Sequence, residues 1–387
     1  MTDEKMNRRD AIKKTVNSGV ALGAVASMPH WILPTLAQGE ELVPFTDMPE
    51  DFSRGPARPG GTHFLDTRMI DDFYTDNEDF YVVQHYGQPE LDLDDYRLKV
   101  TGMVGQELEL SLSDLQDMAQ FDIDAGFECG GNRAALYHGL IGNARWRGVA
   151  LRNILGEARI LEGGEEVVFF GGDIGVEEIR EAEVEQAFAR SLPVSDAMRS
   201  ENMLAMEMNG EPLPQIHGQP VRLLVPGYYG VANVKWLVQI HVQDRRYMGK
   251  FMGRDYVTLK KEVVGGEERW VENSVTKIHL KSSVVRVTRL GDLHKITGFV
   301  LNDGTPLRSV EIKIDEGPWQ EAMIDPQSTR YSWKLFTLDW DASPGDHTLI
   351  SRVTDANGNV QLTEEEMPEK VSRWENYAQF PRTIRIS

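Results

Sequence analysis

A single cysteine, Cys129, in a chain of 387 residues sets the first limit on what this sequence can fold into. One thiol makes no internal disulfide, and it completes neither a cysteine-rich zinc site nor an iron–sulfur cluster. Stability has to come from buried apolar cores. A content of 41% hydrophobic and 26% charged residues supplies them in the proportions of an ordinary soluble globular protein. The length predicts two or three domains of about 150 residues each. Acidic residues outnumber basic ones 61 to 41, for a formal charge of −20, which repels a polyphosphate backbone and argues against a nucleic-acid partner. The same acidity suits a saline habitat, a basic protein partner or plain solubility.

Residues 1–37 read as an export signal. Lys5, Arg8, Arg9, Lys13 and Lys14 precede an apolar run over 19–28 and a small-residue cleavage candidate, Thr35-Leu36-Ala37. The run is too short to span a bilayer, so no membrane span is expected in the mature chain. The competing reading is a cytosolic amphipathic helix. Arg8-Arg9-Asp10-Ala11-Ile12-Lys13 resembles a twin-arginine signal, with Asn7 where Ser or Thr is usual. That resemblance implies a periplasmic destination and a cofactor inserted before export.

The stretch 38–61, rich in Pro, Gly and acidic residues without periodicity, predicts an extended arm on the surface rather than a core element. Over 62–272, strand-like runs (96–100, 167–170, 221–225, 234–242) alternate with short helical patterns (112–118, 151–155), which predicts an α+β domain. Past the turn Gly265-Gly266-Glu267-Glu268 the texture changes. Short alternating runs at 277–280, 284–287, 310–314, 332–338 and 347–353 are separated by turn signals such as Asn302-Asp303-Gly304 and Asp355-Ala356-Asn357-Gly358. A β-sandwich over 273–387 is the expectation.

Cys129 lies in Phe127-Glu128-Cys129-Gly130-Gly131-Asn132-Arg133. Two glycines let a bulky ligand approach the backbone, Asn and Arg offer donors, and a thiolate is a soft ligand for a thiophilic metal. A small buried hydrophobe is the alternative for a lone cysteine.

The run FECGGNR, followed in order by ARWRGVALRNIL, AMEMNGEPLP and HGQPVRLLVPGYYGVANVKWL, resembles the sulfite oxidase family of molybdenum enzymes. The resemblance implies a molybdenum–molybdopterin (pyranopterin) cofactor in the α+β domain and an immunoglobulin-like dimerisation domain after it, hence a homodimer. It also implies a two-electron oxidation that adds oxygen from water to sulfur. Carried onto this chain, it makes Cys129 the thiolate ligand of the metal. His85, Asp173, His217, Arg222 and Lys235 become cofactor contacts, with Arg133 a further candidate. Tyr256 in Asp255-Tyr256-Val257 becomes the phenol beside the metal, and Arg373, near the chain end, the cation over the substrate pocket.

Two departures concern the substrate. Val83 and Ala134 stand where the better-known sulfite oxidases carry arginines, and the pocket tryptophan of the vertebrate-type loop has no counterpart in the shorter loop 133–144. Either His138 or Arg145 fills in, or the substrate is less charged than sulfite, such as sulfane sulfur, or an S- or N-oxide used in reverse. No Cys-x-x-Cys-His haem motif is present, so electrons are expected to leave to a separate acceptor, for which a c-type cytochrome suits an acidic surface. A binding module with a merely structural Cys129 is the non-catalytic alternative.

Overall fold

The computed structural model describes residues 36, 39–49, 61–70 and 72–387. Apart from Leu36 the predicted export signal, including Arg8-Arg9, lies outside the described residues, as does 50–60 of the arm.

The region that holds the quoted motifs is mostly β. One five-stranded sheet runs in the order Leu108–Ser111, Arg97–Gly102, Leu237–Gln243, Glu166–Ile179, Ala182–Pro193. Within it Leu237–Gln243 is parallel to Arg97–Gly102 and antiparallel to Glu166–Ile179. A second sheet runs Glu211–Pro212, Met203–Met208, Ile141–Ala150, Gln120–Glu128, with Arg222–Leu224 also paired to Met203–Met208. Side-chain period explains the strands: in Arg97–Gly102, Leu98 and Val100 are fully buried while Arg97 and Lys99 face solvent. The helices expected at 112–118 and 151–155 form as Leu112–Asp117 and Leu151–Ala158. Ser111 and Asp114 close a capping box on the first. The second buries Leu151, Ile154, Leu155 and Ala158, the one-sided spacing of an amphipathic helix.

The C-terminal region is a pair of antiparallel sheets. Glu41–Leu42, Lys281–Leu290, Leu293–Leu301, Lys334–Trp340 and Met323–Ile324 form one, and Trp319–Glu321, Leu307–Ile314, Gly345–Asp355 and Arg382–Ile386 the other. Val284, Val287, Ile296, Val300 and Phe336 meet Val310, Ile312, Leu349, Val353 and Ile384 in one apolar core, which makes this a sandwich. The run 277–280 forms no strand, only a bridge from Lys277 to Tyr228.

The arm departs from expectation. Glu41–Leu42 adds a strand to the sandwich, and Phe45 and Met48 are buried in its core. Two apolar side chains in a polar, proline-rich stretch suffice to dock it.

The larger core also crosses the change in sequence texture. Val275, Ile278, Val285, Trp333 and Trp374 share a core with Phe127, Cys129 and Tyr256, so the C-terminal region backs the site below. Among the described residues no helix is long and apolar enough to cross a membrane.

Candidate functional site

The strand Gln120–Glu128 ends as its last residues sink into the core, and the chain turns at Cys129. The loop is held by its own backbone: the Cys129 amide donates to Leu140 at 2.9 Å, and the Asn132 amide donates to the Cys129 carbonyl at 2.9 Å. The Asn132 side chain ties both ends, donating to Glu128 at 3.0 Å and to the His138 carbonyl at 2.9 Å, and accepting from the Leu140 amide. The two glycines serve packing by the chain itself. A Cβ on Gly130 would lie 3.0 Å from Val275, and one on Gly131 2.9 Å from the Trp374 ring. Burial pushes the Cys129 thiol up to about 11, with Arg373 and Arg133 pulling it down more weakly. A bound cation is what would make it a thiolate near neutral pH.

Cys129 opens onto a pocket of about 620 Å³ of empty space. At one end lies a basic set. Arg222, buried in the strand Arg222–Leu224, donates to the carbonyls of His217 (3.0 Å) and Asn233 (3.2 Å), and its Nε has no partner. Its guanidinium carbon stands 4.9 Å from the Trp146 ring centroid. Lys235 donates to the carbonyls of Val83 (3.3 Å) and Ile216 (3.2 Å), and burial, reinforced by Arg222, lowers its ammonium to about 7. His217 is bonded to the Asn77 carbonyl at 2.7 Å, and burial lowers it to about 3. Asp173 sits at the register shift of the strand Glu166–Ile179. Its Oδ1 is buried without a partner, and burial raises its carboxyl to about 6.

Toward the entrance, His85 Nε2 and the Tyr256 hydroxyl are 2.8 Å apart. Burial lowers His85 to about 4, helped by Lys235, Lys250 and Arg373, so the imidazole is neutral at pH 7. Burial raises Tyr256 far out of the physiological range, so the phenol keeps its proton. The Tyr256 ring stacks on Trp374 at 4.3 Å, and the Arg373 guanidinium lies 4.4 Å from the Trp374 ring centroid.

Residues 85–251 match the family model described as the oxidoreductase molybdopterin binding domain. Human mitochondrial sulfite oxidase is 30% identical over 324 residues, a match covering 76% of this chain and 58% of the human protein. The chain carries a molybdopterin-binding oxidoreductase domain like that of the sulfite oxidases. It spans little more than half the length of that human relative. The rat mitochondrial sulfite oxidase is 27% identical over 389 residues, covering 88% of this chain and 70% of its own length. The crystal structure of the sulfane dehydrogenase SoxCD from Paracoccus pantotrophus has the same fold, with a TM-score of 0.73 at 23% identity over 88% of this chain and 89% of that one.

The pocket fits the molybdopterin cofactor that the family's domain binds. Buried Arg222 and half-buried Lys235 face a single carboxylate, Asp173, with neutral His217 as a further hydrogen-bonding group, so the set suits a phosphate. The unpaired Arg222 Nε and Asp173 Oδ1 are a donor and an acceptor awaiting a partner. Among the described residues no cluster of three His, Cys, Asp or Glu side chains is built to hold a metal. Cys129 offers this pocket a single thiol, so a metal held here would need its other donors from the cofactor.

Of the residues singled out in the sequence, Cys129, His85, Asp173, His217, Arg222, Lys235 and Tyr256 line this one pocket. Arg373 and Arg133 do not line it. Both are exposed just outside, near enough to favour the Cys129 thiolate. Val83 is in the lining, whereas Ala134 sits in an exposed turn. Neither proposed substitute for the lost arginines reaches the pocket. His138 is buried behind the loop, 4.7 Å from the Phe380 ring, and Arg145 is exposed and paired with Asp124 at 3.6 Å.

Sequence reasoning passed over three residues that shape the site. Trp374 forms the platform under Tyr256, and its place beside Arg373 was the available signal. Phe188 stacks on His85 at 5.0 Å. Arg190, buried, donates to the carbonyls of Phe251 and Val275 beside Tyr256; both it and Phe188 sit in the strand Ala182–Pro193, where nothing in the local sequence marks them.

Proposed function

We propose that this protein acts as a member of the sulfite oxidase family, oxidising sulfite or a related small sulfur compound and passing the electrons to a separate acceptor. The observation that carries the reading is the gathering in one pocket of a single buried thiol, the Tyr256–His85 pair and the basic set Lys235, Arg222 and His217. When bound, the cofactor supplies two-electron oxygen transfer from water to sulfur. Lys235, Arg222 and His217 would hold its phosphate, Asp173 would accept a hydrogen bond from it, and Cys129 would supply a thiolate to the metal. Tyr256 is placed to hydrogen-bond the substrate through its protonated phenol, and neutral His85, 2.8 Å away, fixes that phenol. Phe127, Phe188 and Trp236 exclude water from the same space. Arg373 at the entrance draws in an anion.

A second reading, sulfane sulfur on a less charged substrate, is favoured by the position of His138 and Arg145 away from the pocket. With Val83 and Ala134 in place of two bidentate donors, a dianion has less to bind. Turnover of molybdenum-loaded protein with ferricyanide as acceptor separates the two. Oxidation of sulfite supports the first reading, oxidation of a persulfide alone supports the second, and inactivity on both overturns the sulfur reading.

The Arg8-Arg9 signal supports export to the periplasm after cofactor insertion, and the C-terminal sandwich supports a homodimer. A basic c-type cytochrome suits the acidic surface as acceptor. Fractionation of the expressing cells and the mass of the purified protein in solution test the first two.

A further inference from the structure

The chain leaves Tyr256 along a two-stranded hairpin, Val257–Val264 with Glu267–Ser274, and returns past its outer edge at residues 369–371 before reaching Arg373 and Trp374. Register puts Leu259, Lys261 and Val263 on one face with Glu272, Trp270 and Glu268 opposite them. The Lys261 amide donates to Glu369, and the Val371 amide to Leu259, so Val371 and Glu369 share that face. Lys261 confirms it, pairing with Glu268 at 3.3 Å and Glu369 at 2.6 Å while its ammonium lies 5.6 Å from the Trp270 ring. The opposite face begins with fully buried Thr258 and opens to solvent toward the hairpin tip, where Val264 is 45% exposed.

Three apolar side chains on the outer face are left in water: Val263 is 75% exposed, Val371 67% and Trp270 44%. Glu268, Glu272 and Glu369 surround them against the single cation Lys261. An exposed apolar cluster with a polar rim is the signature of an interaction surface. From this cluster the irregular segment 369–374 leads to the buried Trp374 indole, which stacks on Tyr256 at the pocket.

We propose that this face docks a lysine-rich, one-electron-accepting protein of the c-type cytochrome class, with Trp270, Val263 and Val371 as its apolar centre. The proposal rests on the oxidative reading above. Its chemistry balances: oxidation of sulfite with water to sulfate releases two electrons and two protons, and two docking events each reduce one ferric haem. The small apolar centre suits a transient redox encounter, which buries less than about 1,200 Å², and the carboxylate rim steers a basic partner. A second copy of this chain is the wrong occupant, because it would bring the same carboxylates and a formal charge of −20 against their like.

The test uses the full molybdenum-loaded protein with sulfite and two acceptors, ferricyanide and a basic c-type cytochrome, at low and moderate salt. Trp270→Ala with Val263→Ser, and separately Glu268→Gln with Glu272→Gln, should each raise the cytochrome concentration for half-maximal rate by about tenfold and leave the ferricyanide rate unchanged. The charge variant should also lose most of the salt dependence. Equal loss in Glu183→Gln with Glu185→Gln, on the other exposed hairpin, would mean a general field and overturn the docking face. So would unchanged cytochrome kinetics, or a dimer that Trp270→Ala converts to monomer without affecting the cytochrome rate. Absence of sulfite turnover with ferricyanide identifies failure of the substrate reading instead.

Discussion

Lys281 of the C-terminal sandwich makes a buried ion pair with Glu128, the residue before Cys129, and the two side chains are 1% and 2% exposed. Glu128 Oε1 also accepts from Asn132, which ties the loop to Leu140 and His138. A residue distant in sequence thereby closes the turn that presents the thiol. Glu375 and Asn376 add two further ties, bonding the Gly130 carbonyl at 2.8 Å through a backbone amide and the Asn132 carbonyl at 3.0 Å through a side chain.

Removing one partner strands a buried charge. Lys281→Met should destabilise the protein by about 3–5 kcal/mol, and combining it with Glu128→Leu should recover much of the loss. Denaturant unfolding of the single and double variants checks this.

Tyr256→Phe deletes the phenol bonded to His85 and keeps the stack on Trp374. We expect kcat to fall by about 10²-fold or more, with molybdenum content and unfolding midpoint unchanged. Loss of molybdenum in this variant would move Tyr256 from catalysis to cofactor retention.

Arg222→Met keeps the volume between Trp146 and Phe127 and removes the guanidinium. The variant should fold, by circular dichroism, and lose most of its molybdenum on purification, because a phosphate loses its charge-assisted donors. Full metal retention would contradict the assignment of this end of the pocket to the phosphate.

His217 gives a pH dependence. Its folded value, about 3, lies below the unfolded value of about 6.5, so below pH ~6.5 the unfolded chain binds the proton the folded one refuses. Stability of cofactor-free protein should be constant in this respect above pH ~6.5 and fall toward pH ~3, by a few kcal/mol on the order of 1.4 per pH unit. His217→Gln should flatten that part of the unfolding-versus-pH curve.

Residues that form the pocket floor were legible because they sit in motifs where glycines, a thiol and basic residues break an apolar pattern. Their convergence was legible only through the family resemblance, since His85 and Tyr256 are far apart in sequence and 2.8 Å apart in space. What the sequence hid was the origin of the walls. Gly130 and Gly131 suggest room for a ligand, yet Val275 and Trp374 take that room. Lys281 reads as one more strand residue, because nothing local says that its partner is Glu128. Phe45 and Met48 are isolated apolar residues in a polar arm, too few to give a period, and still dock it in a core. Arg373, expected over the pocket, is exposed beside Trp374 and outside the pocket lining.

The central claim is that Cys129 is the chain's ligand to a molybdenum centre in this pocket. Molybdenum X-ray absorption on purified protein and on Cys129→Ser tests it most directly. The account predicts stoichiometric metal with sulfur ligands in the native chain and the loss of one sulfur scatterer in Cys129→Ser. The same sulfur coordination in both, or native protein from a cofactor-competent host without molybdenum, would contradict it.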